Sequence, residues 1–180
     1  MERNKVVLVD QNDQTVGEMD KLLAHERGEL HRAFSIFIFN SRGEMLIHQR
    51  AADKYHGGGL WTNACCSHPQ MHEDLEQGAL QRLQFEMGLV CPITPLFSFI
   101  YHAKVENDLI EHEFDHVFVG YSDDTPLPNP AEVQDFRWIS VRKLHEEILT
   151  SPEKFTYWFK SALDQVLETL EQTKSFAANR

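Results

Sequence analysis

Leu75, Ala79, Leu83 and Met87 recur at helical spacing and stop at Gly88, a residue suited to cap a helix C-terminus. Around this central helix the apolar runs have strand character. Val6 to Val9 is a short apolar run, and Ala33-Phe34-Ser35-Ile36-Phe37-Ile38-Phe39 is aromatic and β-branched. The turn Ser41-Arg42-Gly43-Glu44 leads into Met45-Leu46-Ile47-His48 and predicts a hairpin. Two longer strands are predicted at Phe97 to Val105 and Ile110 to Tyr121, joined across Glu106-Asn107-Asp108. The proline-bearing loop Thr125 to Pro130 leads to a short strand at Phe136 to Ile139. Ser151-Pro152 then opens a long amphipathic helix with Phe155, Phe159, Ala162, Val166 and Leu170 on one face. Strands with one central and one terminal helix predict an α+β fold, a mixed β-sheet sandwich, and argue against a regular βαβ repeat.

At 180 residues, without repeats or low-complexity blocks, the expectation is a single domain over residues 1–180. Twenty-eight acidic against 17 basic side chains give a net charge of −11, which repels polyanions. Nucleic acid and anionic membrane surfaces are therefore not expected as main partners, and an anionic substrate would need a local basic pocket. Only four apolar residues follow the first five, and no later run approaches the roughly 20 required to span a bilayer. A cytoplasmic location is expected. Cys65, Cys66 and Cys91 form neither a Cys-x-x-Cys clamp nor a disulfide framework, which suits a reducing compartment.

The chemistry concentrates in two short stretches. In Trp61-Thr62-Asn63-Ala64-Cys65-Cys66-Ser67-His68-Pro69, Cys66 and His68 lie two residues apart, on one side of an extended segment. In Glu111-His112-Glu113 both carboxylates project from one strand face, with His112 and Phe114 on the other. Adjacent carboxylates repel unless something positive separates them. A divalent cation would do so, with His25, His31 and His68 completing a nitrogen and oxygen shell that suits zinc or a transition metal. Plainer readings stand beside this one. Glu111 and Glu113 could form a solvated edge, Cys66 a small core residue, and His25 and His31, six apart, two surface histidines. A Cys/His nucleophilic hydrolase lacks an identifiable orienting Asn or Asp.

Taken together, the Trp61 to Pro69 segment, Arg82-Leu83-Gln84-Phe85-Glu86-Met87-Gly88 and Glu111-His112-Glu113 resemble type I isopentenyl-diphosphate delta-isomerase, an enzyme of Nudix fold. The similarity runs from about Val6 to the final helix. Ala24-His25 and Leu30-His31-Arg32-Ala33-Phe34-Ser35 look like the family's amino-terminal metal-ligand segment, and Gln49-Arg50-Ala51 with Lys54 resembles its diphosphate-binding stretch. A Nudix hydrolase box ends Arg-Glu-x-x-Glu-Glu-x-Gly, and here those places hold Gln81, Arg82, Leu83, Gln84, Phe85, Glu86, Met87 and Gly88. Only the last glutamate and the glycine survive. One glutamate cannot assemble the carboxylate cluster that a hydrolase needs to activate water, and the isomerases show the same loss.

The resemblance implies a reversible 1,3-allylic proton shift between isopentenyl and dimethylallyl diphosphate through a carbocation-like species. It implies Cys66 and Glu113 as the proton-transfer pair, with Tyr101 near the carboxylate as a relay. Trp158 would place its π face against the cation. Lys21, Arg50, Lys54 and Arg82 would clamp the diphosphate, and Glu86 would hold Mg2+ against it. A second divalent ion, Mn2+, Zn2+ or Mg2+, would sit on His25, His31, His68, Glu111 and Glu113. The implied partner is a small isoprenoid diphosphate, and a monomer is expected. Two other readings remain, a Nudix pyrophosphohydrolase and a catalytically silent Nudix-like binding module.

Overall fold

The computed structural model describes residues 3–178. Its nine strands are β1 (Lys5–Val9), β2 (Thr15–Asp20), β3 (His31–Phe39), β4 (Glu44–Arg50), β5 (Trp61–Thr62), β6 (Cys65–Ser67), β7 (Ile93–Lys104), β8 (Ile110–Tyr121) and β9 (Val133–Ser140). Its helices are α1 (Lys21–Arg27), α2 (Leu75–Met87), α3 (Val141–Thr150) and α4 (Tyr157–Ala178).

The near-continuous apolar run of β3 has both faces buried, as expected of a central strand. It pairs antiparallel with β1, β4 and β6, and parallel with β8 from His31 opposite Glu113 to Phe39 opposite Tyr121. β7 and β8 form a long antiparallel hairpin that sets Tyr101 opposite Glu113. The faces of the sheet carry separate cores. On one, Ala79, Leu83 and Met87 of α2 pack with Phe34, Ile36, Ile38 and Leu46. On the other, Phe159, Ala162, Leu163 and Val166 of α4 pack with Phe37, Met45, Ile47 and Val117. Each such fully buried Val, Leu, Ile, Phe or Met side chain contributes about 1.5–3 kcal/mol relative to exposure. The result is an α+β sandwich with the sheet between a central and a C-terminal helix.

The ends of α2 follow the sequence signals. Asp74 accepts a hydrogen bond from the Gln77 N–H, satisfying a donor that the helix leaves open. Gly88 closes the helix at φ 65°, and a Cβ there would lie 2.6 Å from the Leu127 carbonyl oxygen, so both backbone and space require glycine.

The terminal helix begins later than the sequence pattern predicts. Pro152 opens a 3-10 turn over Pro152–Lys154, Phe155 is extended and bridges to Trp61, and α4 starts only at Tyr157. Phe155 still enters the same core, from the connection and not from the helix. β2, α1 and α3 lie outside the predicted elements. β2 is a largely exposed edge of Thr-Val-Gly-Glu-Met-Asp, α1 has seven residues, and Leu144 is the one fully buried residue of α3. Elements this short or this polar carry too little apolar periodicity to be recognised. β9 also runs longer than Phe136 to Ile139, extending through its pairing with β4.

Candidate active site and metal centre

The Trp61 to Pro69 segment is pinned by its own polar side chains. The Asn63 amide donates to the carbonyls of Ile36 (3.1 Å) and Cys65 (2.8 Å), and Thr156 Oγ1 donates to Thr62 Oγ1 at 2.9 Å. β6 then pairs with β3, Cys65 opposite Ile36 and Cys66 opposite Ser35. Strand alternation sends the two thiols to opposite faces. Cys65 is 0% exposed in the α2 core, whereas Cys66 faces a cleft of about 400 Å³. Burial pushes the Cys66 thiol up to about 12, only partly opposed by Arg50, whose Nη1 lies 3.8 Å from the sulfur. The thiol therefore keeps its proton at neutral pH.

Across the same cleft, β8 presents Glu111 and Glu113, both buried, with His112 half-buried on the opposite face. Tyr101 donates its hydroxyl proton to Glu113 Oε2 at 2.6 Å. Burial, followed by the nearby carboxylates, holds that phenol well above its usual range, so it stays a donor. Burial also opposes ionisation of Glu113. The imidazoles of His31 (3.4 Å) and His68 (2.8 Å) outweigh it and hold the carboxyl well below the usual range. The resting pair is thus a neutral thiol and a carboxylate.

His25 and His31 are fully buried behind the carboxylates, His25 on α1 and His31 at the start of β3. Each directs Nδ1 at a backbone carbonyl, His25 to Lys21 (2.7 Å) and His31 to Glu29 (2.8 Å). A carbonyl only accepts, so Nδ1 carries the hydrogen and, in the neutral ring, Nε2 offers a bare lone pair. Both Nε2 atoms and Glu111 Oε2 are buried without a hydrogen-bond partner. Such atoms are costly to leave unpaired, and a divalent cation bound at His25 would engage its unpaired neighbours. Donor atoms of His25, His31, His68 and Glu113 all lie within 4.8 Å of one another, and a second group of that spread joins His25, Glu111 and His56. The donor set fits a divalent metal of zinc or transition type.

Cations gather in the same cleft. Lys21, Arg50, Lys54 and Arg82 line it, together with Glu86 and Glu132. Arg82 donates to Glu86 Oε1 through Nε (3.0 Å) and Nη2 (2.5 Å) and reaches Glu132 at 3.4 Å. Lys54 pairs with Glu132. Burial, and then Lys54, lowers the Lys21 ammonium pKa, as expected where cations crowd together. The Arg50 guanidinium lies over the Trp158 ring, 5.1 Å from its centroid. Of the residues predicted for the site, all line the cleft except His25 and His31, which stand behind it. Glu86 lies apart from the histidine cluster, among the cations.

Two cleft residues and one buried neighbour escape the sequence reading. His56 touches Glu111 at 2.7 Å and Glu132 balances Lys54 and Arg82, both lining the cleft, while Asp115 is 0% exposed next along the Glu111 and Glu113 strand, outside the cleft lining. The period-2 alternation of β8 extends to Asp115 and could have found it. His56 in a glycine-rich loop and Glu132 after Pro130 have no periodic signal.

The NUDIX domain family matches residues 29–159. Isopentenyl-diphosphate delta-isomerase of Pectobacterium atrosepticum is 46% identical over 175 residues, covering 97% of this chain and 98% of that protein. Isopentenyl-diphosphate delta-isomerase 2 of Photorhabdus laumondii is 48% identical over 159 residues, covering 88% and 90%. Among solved structures, a Deinococcus radiodurans protein superposes with a TM-score of 0.66 at 23% identity, over 81% of this chain and 89% of that one. The MutT protein of Methanosarcina mazei gives 0.65 at 16% identity over 81% and 96%. At those identities the structural matches speak for the fold alone. The sequence matches reach further, and the chain belongs to the isopentenyl-diphosphate delta-isomerase family, within the NUDIX domain superfamily.

Proposed function

We propose that this chain is an isomerase interconverting isopentenyl and dimethylallyl diphosphate, with Cys66 and Glu113 as its proton-transfer pair. The observation that carries the reading is the shared cleft, lined at once by a neutral thiol and a carboxylate and by the cations Lys21, Arg50, Lys54 and Arg82. In the forward direction a proton adds to the terminal methylene of the alkene and another leaves the carbon next to the diphosphate-bearing one, so the substrate's composition is unchanged. At rest Cys66 has the proton to give and Glu113 the vacancy to receive one. Tyr101 holds Glu113 in place by its hydrogen bond and relays its proton. Trp158 offers a π face to positive charge, a role Arg50 fills in this structure.

His25, His31, His68, Glu111 and Glu113 would hold one divalent ion, Mn2+, Zn2+ or Mg2+, and Glu86 would hold Mg2+ against the diphosphate. Bound there, these ions would fix and acidify Glu113 and neutralise phosphate charge. Lys21, Arg50, Lys54 and Arg82 bind the diphosphate, and the apolar walls keep water from quenching a cation. We read residues 1–180 as one catalytic domain, acting as a cytoplasmic monomer on a small isoprenoid diphosphate, without nucleic-acid or membrane partners. Among the described residues no helix is long and apolar enough to cross a membrane.

Incubation with isopentenyl diphosphate in D2O, followed by proton NMR, tests the reaction. Deuterium entering the allylic positions is the expected result. Phosphate release without isomerisation would transfer the assignment to a pyrophosphohydrolase.

A further inference from the structure

His56 is 5% exposed in the loop after β4, with Nε2 2.7 Å from Glu111 Oε1. The loop is fastened on both sides of it. The Gly57 N–H donates to Glu106 Oε2 at 3.2 Å, the Asn107 amide donates to the Tyr55 carbonyl at 2.9 Å, and Arg50 Nη2 donates to the His56 carbonyl at 3.2 Å. The imidazole is therefore delivered to Glu111 by a held backbone.

Its ring is used in the opposite sense from its neighbours. His25 and His31 give Nδ1 to backbone carbonyls and keep Nε2 bare for an ion. His56 Nδ1 has no hydrogen-bond partner, so no carbonyl draws the proton there. The neutral ring gains most by carrying it on Nε2 and donating to the carboxylate. An N–H nitrogen has no lone pair for a metal.

The sharing of His25 points the same way. His25 belongs to both groups of candidate ligands but has one free nitrogen, which binds one ion. That nitrogen lies 3.5 Å from Glu111 Oε2, and neither atom has a hydrogen-bond partner. The two oxygens of Glu111 thus have separate tasks.

We infer that His56 is a positioning residue of the metal centre, gripping Glu111 through Oε1 so that Oε2 points at a single ion shared with His25. The inference rests on the metal site proposed above. It adds an outer support to the ligand set and ties the ion to the loop that carries Lys54.

Metal-free protein titrated with Co2+ against a competing chelator, with the visible spectrum recorded, tests it. The variants are His56→Leu, which fills the space without a donor, His56→Gln, whose amide can donate to the same carboxylate, and Glu111→Gln alone and combined with His56→Leu. Wild type is expected to take one ion per chain. His56→Leu should bind about 10–100-fold more weakly, with an altered spectrum, the loss typical of an outer-shell partner. His56→Gln should recover most of that affinity, and His56→Leu should add little to Glu111→Gln. Two ions per wild-type chain, the second lost in His56→Leu, would overturn the inference in favour of a second site with His56 as ligand. Undiminished affinity in His56→Leu, or a fully additive double variant, would also overturn it. If His56→Leu does not fold, a His56→Gln variant tenfold weaker than wild type decides against it. A wild-type chain that binds no ion would instead remove the metal site itself.

Discussion

Replacing each of the two adjacent cysteines by alanine separates chemistry from packing in a single experiment. Cys66 faces the cleft, so Cys66→Ala removes the proposed proton carrier. A positioned acid or base contributes typically about 10²–10⁴-fold to rate. At about 1.4 kcal/mol per tenfold, this corresponds to about 3–5.5 kcal/mol of lost transition-state stabilisation. Of the proposed clamp, Lys21, Lys54 and Arg82 are untouched and Arg50 loses only its 3.8 Å contact with the sulfur, and so inorganic diphosphate should bind much as before. Cys65 is 0% exposed against the α2 core, and removing its sulfur leaves a void of about one heavy atom. By comparison with Ile→Val changes, the cost is about 0.5–1.5 kcal/mol of stability. In a domain of this size each kcal/mol lowers the melting temperature by about 2–4 °C. The assays are allylic deuterium exchange by NMR and thermal unfolding, run on both variants. The expected outcome is an inactive, normally melting Cys66→Ala and an active, slightly destabilised Cys65→Ala. The reverse pattern would refute the strand register that aims Cys66 at the substrate.

Chelation should abolish turnover and lower the melting temperature, because α1 and the start of β3 carry His25 and His31 into a cluster whose buried donors an ion would satisfy; an unchanged melting curve after stripping would count against the site. Glu132→Gln should tighten binding of inorganic diphosphate in magnesium-free buffer by about five- to thirtyfold, about 1–2 kcal/mol after solvent screening, since Glu132 competes for Lys54 and Arg82; calorimetry checks this. Burial, and then Glu113, holds the Asp115 carboxyl well above its ordinary 3.8, so its stabilising effect is complete below that value and is lost as pH rises through the folded-state value. Asp115→Asn, which can still accept from Ser35 Oγ, should therefore raise the melting temperature at pH 7 and lose that advantage toward pH 4. Arg82→Glu with Phe85→Glu should weaken diphosphate binding without creating phosphate release, measured by paired isomerisation and phosphate assays.

The parts of the molecule legible in the sequence are those in which one local pattern and one burial pattern coincide. β8 alternates cleanly from Ile110 to Val117 because the face that carries Glu111 and Glu113 is covered by the histidines, and so these carboxylates could be placed side by side from spacing alone. The α2 cap and the β3 core are legible for the same reason. His25 and His31 are not. They meet because a seven-residue helix folds back to bring its one buried histidine over the first residue of the next strand, a tertiary event without a periodic trace. Their significance came from family resemblance, and the structure supplies the physical content in their Nδ1 contacts with backbone carbonyls. His56 and Glu132 belong to loops held by long-range hydrogen bonds, and no window of local sequence contains their partners.

The same helix that makes a NUDIX domain recognisable also explains why this chain need not hydrolyse what it binds. Arg82 and Glu86 are four apart on α2 and bind each other, and Arg82 lies over Phe85 at 4.8 Å. The helix therefore turns a cation, an aromatic ring and a single carboxylate into the cleft. In a hydrolase those places gather carboxylates to hold ions that activate water. Here two further carboxylates, Glu111 and Glu113, line the same cleft from β8 and are matched by imidazoles. On the proposed reading the two clusters would divide the labour. The cationic one would anchor a diphosphate that is not cleaved, and the acidic one would handle a proton on carbon. Exchanging residues on α2 alone cannot reverse this, because the acidic cluster is built from α1, β3, β6 and β8.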